Sequence, residues 1–155
     1  MTSHSTQVIT HPLFEATLPP GWKVDELRID AGSGRLGRCS GDHHSMFVER
    51  VLAGWIPVKT LMGQVAFESR RTLDSYETSE STGVVVVGGG AARQRVATTT
   101  EGASSYILHE RFVQGLDGHM WYLRVAALSH QFDAQLAQSL LNGIAVRSAQ
   151  EATHV

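Results

Sequence analysis

Residues 106 to 127 read YILHERFVQGLDGHMWYLRVAA, and this stretch decides the fold class. Two runs rich in aliphatic and aromatic residues flank the connecting segment Gly115-Leu116-Asp117-Gly118. An Asp-Gly pair between two such runs is the strongest short signal for a β-hairpin. With the turn at Asp117 and Gly118, Leu116 faces His119. The sequence therefore predicts two long antiparallel strands joined by a tight turn.

This register divides the side chains of the hairpin between two faces. It pairs Phe112 with Leu123 and Leu108 with Ala127, and the apolar character of these pairs predicts that their face is the core side. The expected core face carries Tyr106, Leu108, Phe112, Trp121, Leu123, Val125 and Ala127. A four-residue loop would shift the partners by two positions and leave both faces unchanged.

The second face of the hairpin mixes arginine with aromatic and aliphatic side chains. Arg111 lies opposite Arg124 in the favoured register, and like charges in such a pair are unfavourable. Aromatic residues, methionine and arginine are enriched in protein interfaces, so we expect this open sheet face to bind a protein. The expected partner-binding residues are Ile107, His109, Arg111, Val113, Met120, Tyr122 and Arg124, with Arg93 and Arg95 from the neighbouring segment. The alternative is that acidic residues such as Glu49 neutralise the arginines and a helix covers the rest.

Outside the hairpin, the hydrophobic pattern alternates between a period of two and a period near 3.6. Strands are predicted at residues 14–18, 24–29, 45–52, 84–87, 91–99 and 144–146, helices at 58–76 and 132–141, and a glycine-rich loop at 31–42. Segregated runs of strands and helices predict an α+β fold, a twisted, mostly antiparallel β-sheet flanked by two main helices. We expect a single domain over residues 13–147, with loose tails at 1–12 and 148–155.

The composition is typical of one globular domain. The chain has 155 residues, of which 42% are hydrophobic and 18% charged, with a formal net charge of −2. This charge gives no overall attraction to nucleic acid or to an anionic membrane. The N-terminus lacks the pattern of a signal peptide, and no apolar run approaches the roughly 18 residues of a membrane span. We therefore expect a cytoplasmic protein with no nucleic-acid partner and no direct membrane insertion.

Several landmarks of the chain resemble the PsbP/Mog-like superfamily, and within it the bacterial DcrB/Eag-type group. They are Phe14 and the Leu18-Pro19-Pro20-Gly21-Trp22 opening, the long central helix, Gly89 to Arg93, the 106–127 hairpin, and the closing run from Phe132 to Val146. The resemblance covers residues 13 to 147 and implies a twisted antiparallel sheet flanked by helices. Members of this superfamily act as non-catalytic helpers, among them photosystem assembly subunits, a Ran-binding protein and chaperones of type VI secretion effectors. The resemblance implies a binding module whose partner is another protein.

The run from Val84 to Gly90 looks like a strand entering a dinucleotide-binding glycine turn. That site needs a following helix whose N-terminus holds the pyrophosphate, and a small residue at the position of Arg93. Residues 94 to 100 are rich in β-branched residues, which favours a strand instead. We therefore expect a glycine turn between two strands, and no cofactor.

The candidate metal ligands Asp42, His43 and His44 are poorly placed for one ion. Adjacent histidines on a strand point to opposite faces, and no cluster of histidine or cysteine at zinc spacing accompanies them. We expect ordinary surface or loop histidines and no metal site.

The candidate nucleophiles are isolated as well. Cys39 is the single cysteine, so no internal disulfide can form. It lies in the predicted loop beside Arg35 and Arg38, which would lower its pKa, but no base accompanies it. Ser104 and Ser105 lack the Gly-x-Ser-x-Gly turn of a serine hydrolase. These patterns indicate that the chain is not an enzyme.

Three functions fit the sequence. The first is a non-catalytic adaptor or chaperone that binds a protein segment, such as a hydrophobic effector segment, on the open sheet face, with a homodimer as an open alternative. The second is a small-molecule-binding protein or enzyme that uses a pocket between sheet and helix, with His109 or His43 as the acid or base. The third is an immunity or scaffold subunit of a fixed complex.

Overall fold

The computed structural model describes residues 5–51 and 56–148, which form two antiparallel sheets and two helices. In chain order the elements are β1 (Gln7–His11), β2 (Phe14–Leu18), β3 (Lys23–Leu27), β4 (Gly34–Gly41), β5 (His44–Val51), α1 (Val58–Thr72), β6 (Ser75–Thr78), β7 (Thr82–Gly83), β8 (Gly89–Glu101), β9 (Ser104–Gly115), β10 (Met120–Leu128), α2 (Ala134–Asn142) and β11 (Ile144–Val146). The larger sheet has the order β3, β4, β5, β10, β9, β8 and β6, with β7 also paired to β8, and the smaller has the order β1, β2 and β11. The predicted α+β fold with two main helices is confirmed.

The larger sheet is the middle of three layers. On one side, which we call the α1 face, α1 packs over Phe47, Phe112 and Tyr122. On the other side, the α2 face, Trp121 and Leu123 lie in a core that also receives the apolar residues of α2 and of the smaller sheet. The smaller sheet is thus a second sheet, beside α2, that the sequence prediction did not contain.

The register of the central hairpin differs by one residue from the prediction. Gly115 donates its backbone N–H to the carbonyl of His119 at 2.7 Å, so the loop has three residues, Leu116 to Gly118. Gly118 ends this loop with φ of 86°, in the left-handed region that three-residue hairpin loops require. As a result Phe112 pairs with Tyr122. A shift by an odd number of residues exchanges the faces of one strand relative to the other, so both predicted faces are wrong.

The corrected register places Arg111 and Arg124 on opposite sides of the sheet. Arg124 pairs with Glu110 on the α1 face, and Arg111 pairs with Leu123 on the α2 face. The repulsive arginine pair that the prediction contained does not exist.

Two segments that were predicted to be irregular form strands. Residues 7 to 11, expected in a loose tail, form β1 and pair with β2, whereas residues 1–4 and 149–155 of the predicted tails lie outside the described residues. The predicted glycine-rich loop is largely β4, because its glycines pack under aromatic rings. A Cβ at Gly37 would lie 2.8 Å from Cζ of Phe14, and one at Gly41 would lie 2.7 Å from Cγ of Trp22.

Two other predicted boundaries are also wrong. The predicted strand 84–87 is reduced to one parallel bridge between Val87 and Ala145, while the expected strand after the glycines is present as β8. The predicted helix 58–76 ends at Thr72, because Leu73 turns into extended backbone and β6 then pairs with β8.

A buried carboxylate attaches α1 to the sheet. Glu110 is fully buried, and its oxygens accept hydrogen bonds from Nε of Arg95 at 3.0 Å and from the hydroxyls of Tyr76 and Tyr122. A second guanidinium nitrogen of Arg95 donates to the carbonyl of Met62 in α1 at 3.0 Å. Burial, and then the charge of Glu110, raise the pKa of both tyrosines, so both hydroxyls keep their protons as donors.

Replacement of Glu110 by Gln should lower the free energy of unfolding by about 3 to 5 kcal/mol, because it leaves the charge of Arg95 buried without a counterion. Tyr76→Phe should cost about 1.5 to 3 kcal/mol, since its hydroxyl donates to Glu110 and accepts from Arg95, and hydrogen bonds to charged groups contribute about this much. Urea denaturation measures both values, and Glu101→Gln at an exposed strand end is the matched control. A loss for Glu110→Gln no larger than that for Tyr76→Phe would contradict the role of this carboxylate.

Candidate functional site

A groove opens on the α1 face beyond the end of α1. The 15 residues of α1 span about 22 Å, whereas the 12 residues of β9 span about 40 Å, so the helix cannot cover the full length of the strands. The uncovered part forms a groove of about 520 Å³. Its principal lining residues are Ser45, Leu73, Glu101, Tyr106, Leu108, Arg124 and Ala126.

The groove combines an apolar floor with charged positions. Leu108 of β9 is buried, and Ala126 beside it on β10 and Tyr106 two residues earlier on β9 are half-buried. Arg124 comes from β10, and Glu101 from the end of β8. The groove can therefore accept an apolar side chain together with charged groups of both signs.

Three arginines lie around one aromatic ring next to the groove. Arg38 of β4 and Arg124 of β10 both pair across the sheet with Phe47 of β5. The guanidinium carbons of Arg35 and Arg124 lie 4.2 and 4.4 Å from the centre of the Phe47 ring, at the distance of a cation–π contact. We call Arg35, Arg38 and Arg124 the arginine patch. Within residues 5–51 and 56–148, none of these guanidinium groups forms an ion pair or a hydrogen bond.

The nine residues that were expected to form one binding face do not lie together. Met120, Tyr122, Arg124, Arg93 and Arg95 lie on the α1 face, whereas Ile107, His109, Arg111 and Val113 lie on the α2 face. Six of the nine are buried, with exposed fractions of 7% for Arg95, 8% for His109, 1% for Arg111, 0% for Val113, 0% for Met120 and 6% for Tyr122. Only Arg124 of this set lines the groove. The predicted open face is therefore wrong, because the one-residue shift carries its members into two cores.

The residues of the groove and patch were largely missed. Arg35 and Arg38 were assigned to a loop beside Cys39, and Tyr106 to the core face. The sequence carried no period-two signal for a basic outer face, because Arg35 and Arg38 are three residues apart and only the irregularity between Arg35 and Gly37 brings both to one face.

Comparison with known proteins identifies the fold. No family model matches the chain, and no curated protein matches its sequence. Among solved structures, the Ran-binding protein Mog1p of Saccharomyces cerevisiae superposes with a TM-score of 0.60 at 9% identity, covering 96% of this chain and 99% of that one. This chain has the Mog1 fold. The identity is too low to show more than the fold.

Two bacterial structures share the Mog1 fold with this chain. LpqN, which is involved in cell envelope biogenesis of Mycobacterium tuberculosis, gives a TM-score of 0.59 at 13% identity and covers 93% of this chain and 91% of its own. A protein of unknown function, PA94 of Pseudomonas aeruginosa, gives 0.50 at 10% identity, with coverage of 81% and 85%. The resemblance to the PsbP/Mog-like superfamily is thus confirmed for the fold, and the DcrB/Eag-type assignment stays a prediction.

The two histidines at the β4–β5 turn differ in exposure, since His43 is exposed and His44 is buried. Asp42 and His43 form the turn with φ of 48° and 66°, and His43 is exposed at the rim of the groove. His44 is buried, and its Nε2 accepts the backbone N–H of Asp133 at 2.9 Å at the start of α2. Over the described ranges, no group of three His, Cys, Asp or Glu residues could hold a metal ion.

The α2 face contains a buried basic pair. Arg111 donates to the side-chain oxygens of Gln94 at 3.1 Å and Asn142 at 2.6 Å, and burial lowers its pKa. Nδ1 of His109 is buried without a hydrogen-bond partner in the described structure. Burial, and then the charge of Arg111, lower the pKa of His109 below its usual 6.5. Both side chains lie in the packed layer, where they cannot reach a ligand in the groove.

No helix among the described residues has both the length and the apolar character that crossing a membrane would require.

The thiol of Cys39 should not react with iodoacetamide at neutral pH while the protein is folded. Cys39 is buried in β4, and burial, followed by the negative charge of Asp25, raises its pKa to about 11. The thiolate that attacks the reagent is therefore scarce. Mass spectrometry should find alkylation only after urea is added. Rapid alkylation without urea would show that the thiol is activated.

The protein should lose stability as pH falls below about 6.5, and His109 should account for part of that loss. Because folding lowers the pKa of His109, the unfolded chain binds a proton that the folded chain does not, so stability is present above this pH and lost below it. Urea denaturation between about pH 7.5 and 5.5 measures the slope. His109→Leu should flatten it, and the exposed His130→Leu should not. Equal slopes for His109→Leu and the unaltered chain would refute this assignment.

Proposed function

We propose that this chain is a non-catalytic protein-binding module, an adaptor or chaperone, that holds a segment of a partner protein in the α1-face groove. The observation that carries the proposal is the groove itself, about 520 Å³ of uncovered sheet with an apolar floor and charged walls. Arginine and tyrosine are the residues that most often dominate protein interfaces, and Arg124 and Tyr106 lie in its lining.

The size of the groove suits a short extended segment. The groove extends across the four adjacent strands β5, β10, β9 and β8, each of which contributes lining residues. Three strand spacings amount to about 14 Å, which an extended chain covers with about four residues. An apolar side chain of such a segment would pack on Leu108 and Ala126. A hydrophobic segment of a secreted effector, as the DcrB/Eag-type resemblance implies, is one partner of this kind.

The fold neighbours support a role in protein binding. Mog1p, which has this fold, is described as a Ran-binding protein.

A small-molecule ligand is the second candidate, because the groove volume lies within the roughly 300–1,000 Å³ of ligand pockets. Of the two histidines that the sequence analysis offered as acid or base, His43 lies at the rim of the groove, whereas His109 lies on the opposite, α2 face of the sheet. A thermal-shift screen with metabolites distinguishes this candidate, since a ligand at 100 times its Kd adds about 2.7 kcal/mol of stability.

Ala126→Trp should weaken partner binding by about tenfold or more, because the indole would fill the floor of the groove and leave no room for the segment. The partner is first identified by co-purification from the native cell, then produced alone and titrated by calorimetry. The matched control is Ala145→Trp, which introduces the same side chain at a half-exposed strand position of the smaller sheet.

The affinities of the two variants decide between the candidates. Equal affinity of Ala126→Trp and Ala145→Trp for the partner would remove the groove as the binding site. A metabolite that stabilises the unaltered chain but not Ala126→Trp would favour the small-molecule candidate.

A further inference from the structure

We propose that the partner segment is acidic, with aspartate or glutamate side chains that pair with the arginine patch while an apolar side chain enters the groove. This inference rests on the proposed function and adds the chemistry of the partner. It follows from three positive charges, Arg35, Arg38 and Arg124, that the described chain leaves without an ion pair.

Acidic residues lie opposite Arg35 and Arg38, yet among the described residues neither arginine forms an ion pair with them. Arg35 lies opposite Glu49, and Arg38 lies opposite Glu26 across the bulge between β3 and β4. No ion pair within 4.0 Å forms in either place in the described structure.

Arg124 lies opposite Glu110, but that carboxylate is occupied. It already accepts hydrogen bonds from Arg95, Tyr76 and Tyr122 beneath α1. The positive charge of Arg124 is therefore not neutralised by its cross-strand partner.

Phe47 keeps two of the guanidinium groups in place. Contact of Arg35 and Arg124 with its ring stabilises the cations, and within residues 5–51 and 56–148 their N–H donors have no protein acceptor. A guanidinium group presents five donors in a planar fork that matches the two oxygens of a carboxylate. Because Arg124 also lines the groove, a carboxylate on the patch lies next to the apolar floor.

The surroundings of the patch favour an acidic protein segment over nucleic acid. Glu26 and Glu49 lie opposite patch residues, and Glu101 lines the groove, so a continuous polyanion would meet repulsion along its length. Three arginines also fall short of the roughly 6 to 10 phosphate contacts that proteins commonly make on DNA. A segment with one or two carboxylates and an apolar side chain can form ion pairs with the arginine patch without placing further negative charge beside the glutamates.

A random decapeptide display library tests the proposal with the full chain as bait. Panning on the unaltered chain should enrich peptides that combine aspartate or glutamate with an apolar residue. Panning on Arg35→Glu/Arg38→Glu should enrich lysine and arginine instead. Both arginines are exposed, so this variant should fold, and circular dichroism checks that it does. The control Lys59→Glu/Arg71→Glu makes the same change of charge at exposed positions of α1 and should enrich the same peptides as the unaltered chain.

Fluorescence anisotropy with one enriched peptide gives the quantitative result. Its affinity should fall about tenfold or more in Arg35→Glu/Arg38→Glu, and should fall as salt is raised from about 50 to 500 mM.

The other outcomes separate this inference from the proposed function. Apolar peptides without acidic residues, lost in Ala126→Trp, would overturn the acidic partner and leave the groove as a protein site. No enriched peptide on the unaltered chain would count against both. Binding of a DNA duplex that depends on Arg35 and Arg38 would overturn the inference in favour of a polyanion.

Discussion

The buried ion pair between Glu110 and Arg95 links the sheet to α1, and the position of α1 determines which part of the sheet stays uncovered. Glu110 accepts hydrogen bonds from Arg95, Tyr76 and Tyr122, and Arg95 in turn donates to the carbonyl of Met62 in the helix. The ion pair itself joins β8 and β9, and the helix meets it through the hydrogen bond from Arg95 to Met62, which a shift of α1 would break. The helix is therefore held over β8 and β9, and the groove opens beyond its end.

The fold class could be predicted because it depends on hydrophobic periodicity, which can be read from the sequence without knowledge of tertiary contacts. The register of the central hairpin could not, because it depends on one residue of loop length. Asp117 and Gly118 suit a two-residue turn and the last two positions of a three-residue turn equally well. The structure uses the longer turn, in which Asp117 accepts a hydrogen bond from Arg50 at 2.7 Å. Arg50 lies on β5, 67 residues before Asp117 in the sequence, so the residues around the turn do not predict this contact.

The candidate site was harder to predict than the fold, because its residues come from strands that are distant in sequence. Arg35 and Arg38 were assigned to a loop since glycine is usually unfavourable in strands. Gly37 and Gly41 are instead required there, because the rings of Phe14 and Trp22 occupy the space of a Cβ. Of the nine residues predicted for the binding face, Arg124 alone lines the groove.

The groove owes its fixed shape to contacts at the end of α1. Leu73 leaves the helix, and the carboxylate of the next residue, Asp74, accepts the backbone N–H of Gly102 at 2.7 Å in the turn between β8 and β9. The hydroxyls of Ser75 and Thr100 then bond at 2.7 Å where β6 joins β8. These two hydrogen bonds therefore hold the segment after α1 against the end of β8 and the turn that follows it. A site whose walls are already ordered loses little conformational entropy when a segment binds, so even a short segment with few contacts can be held there.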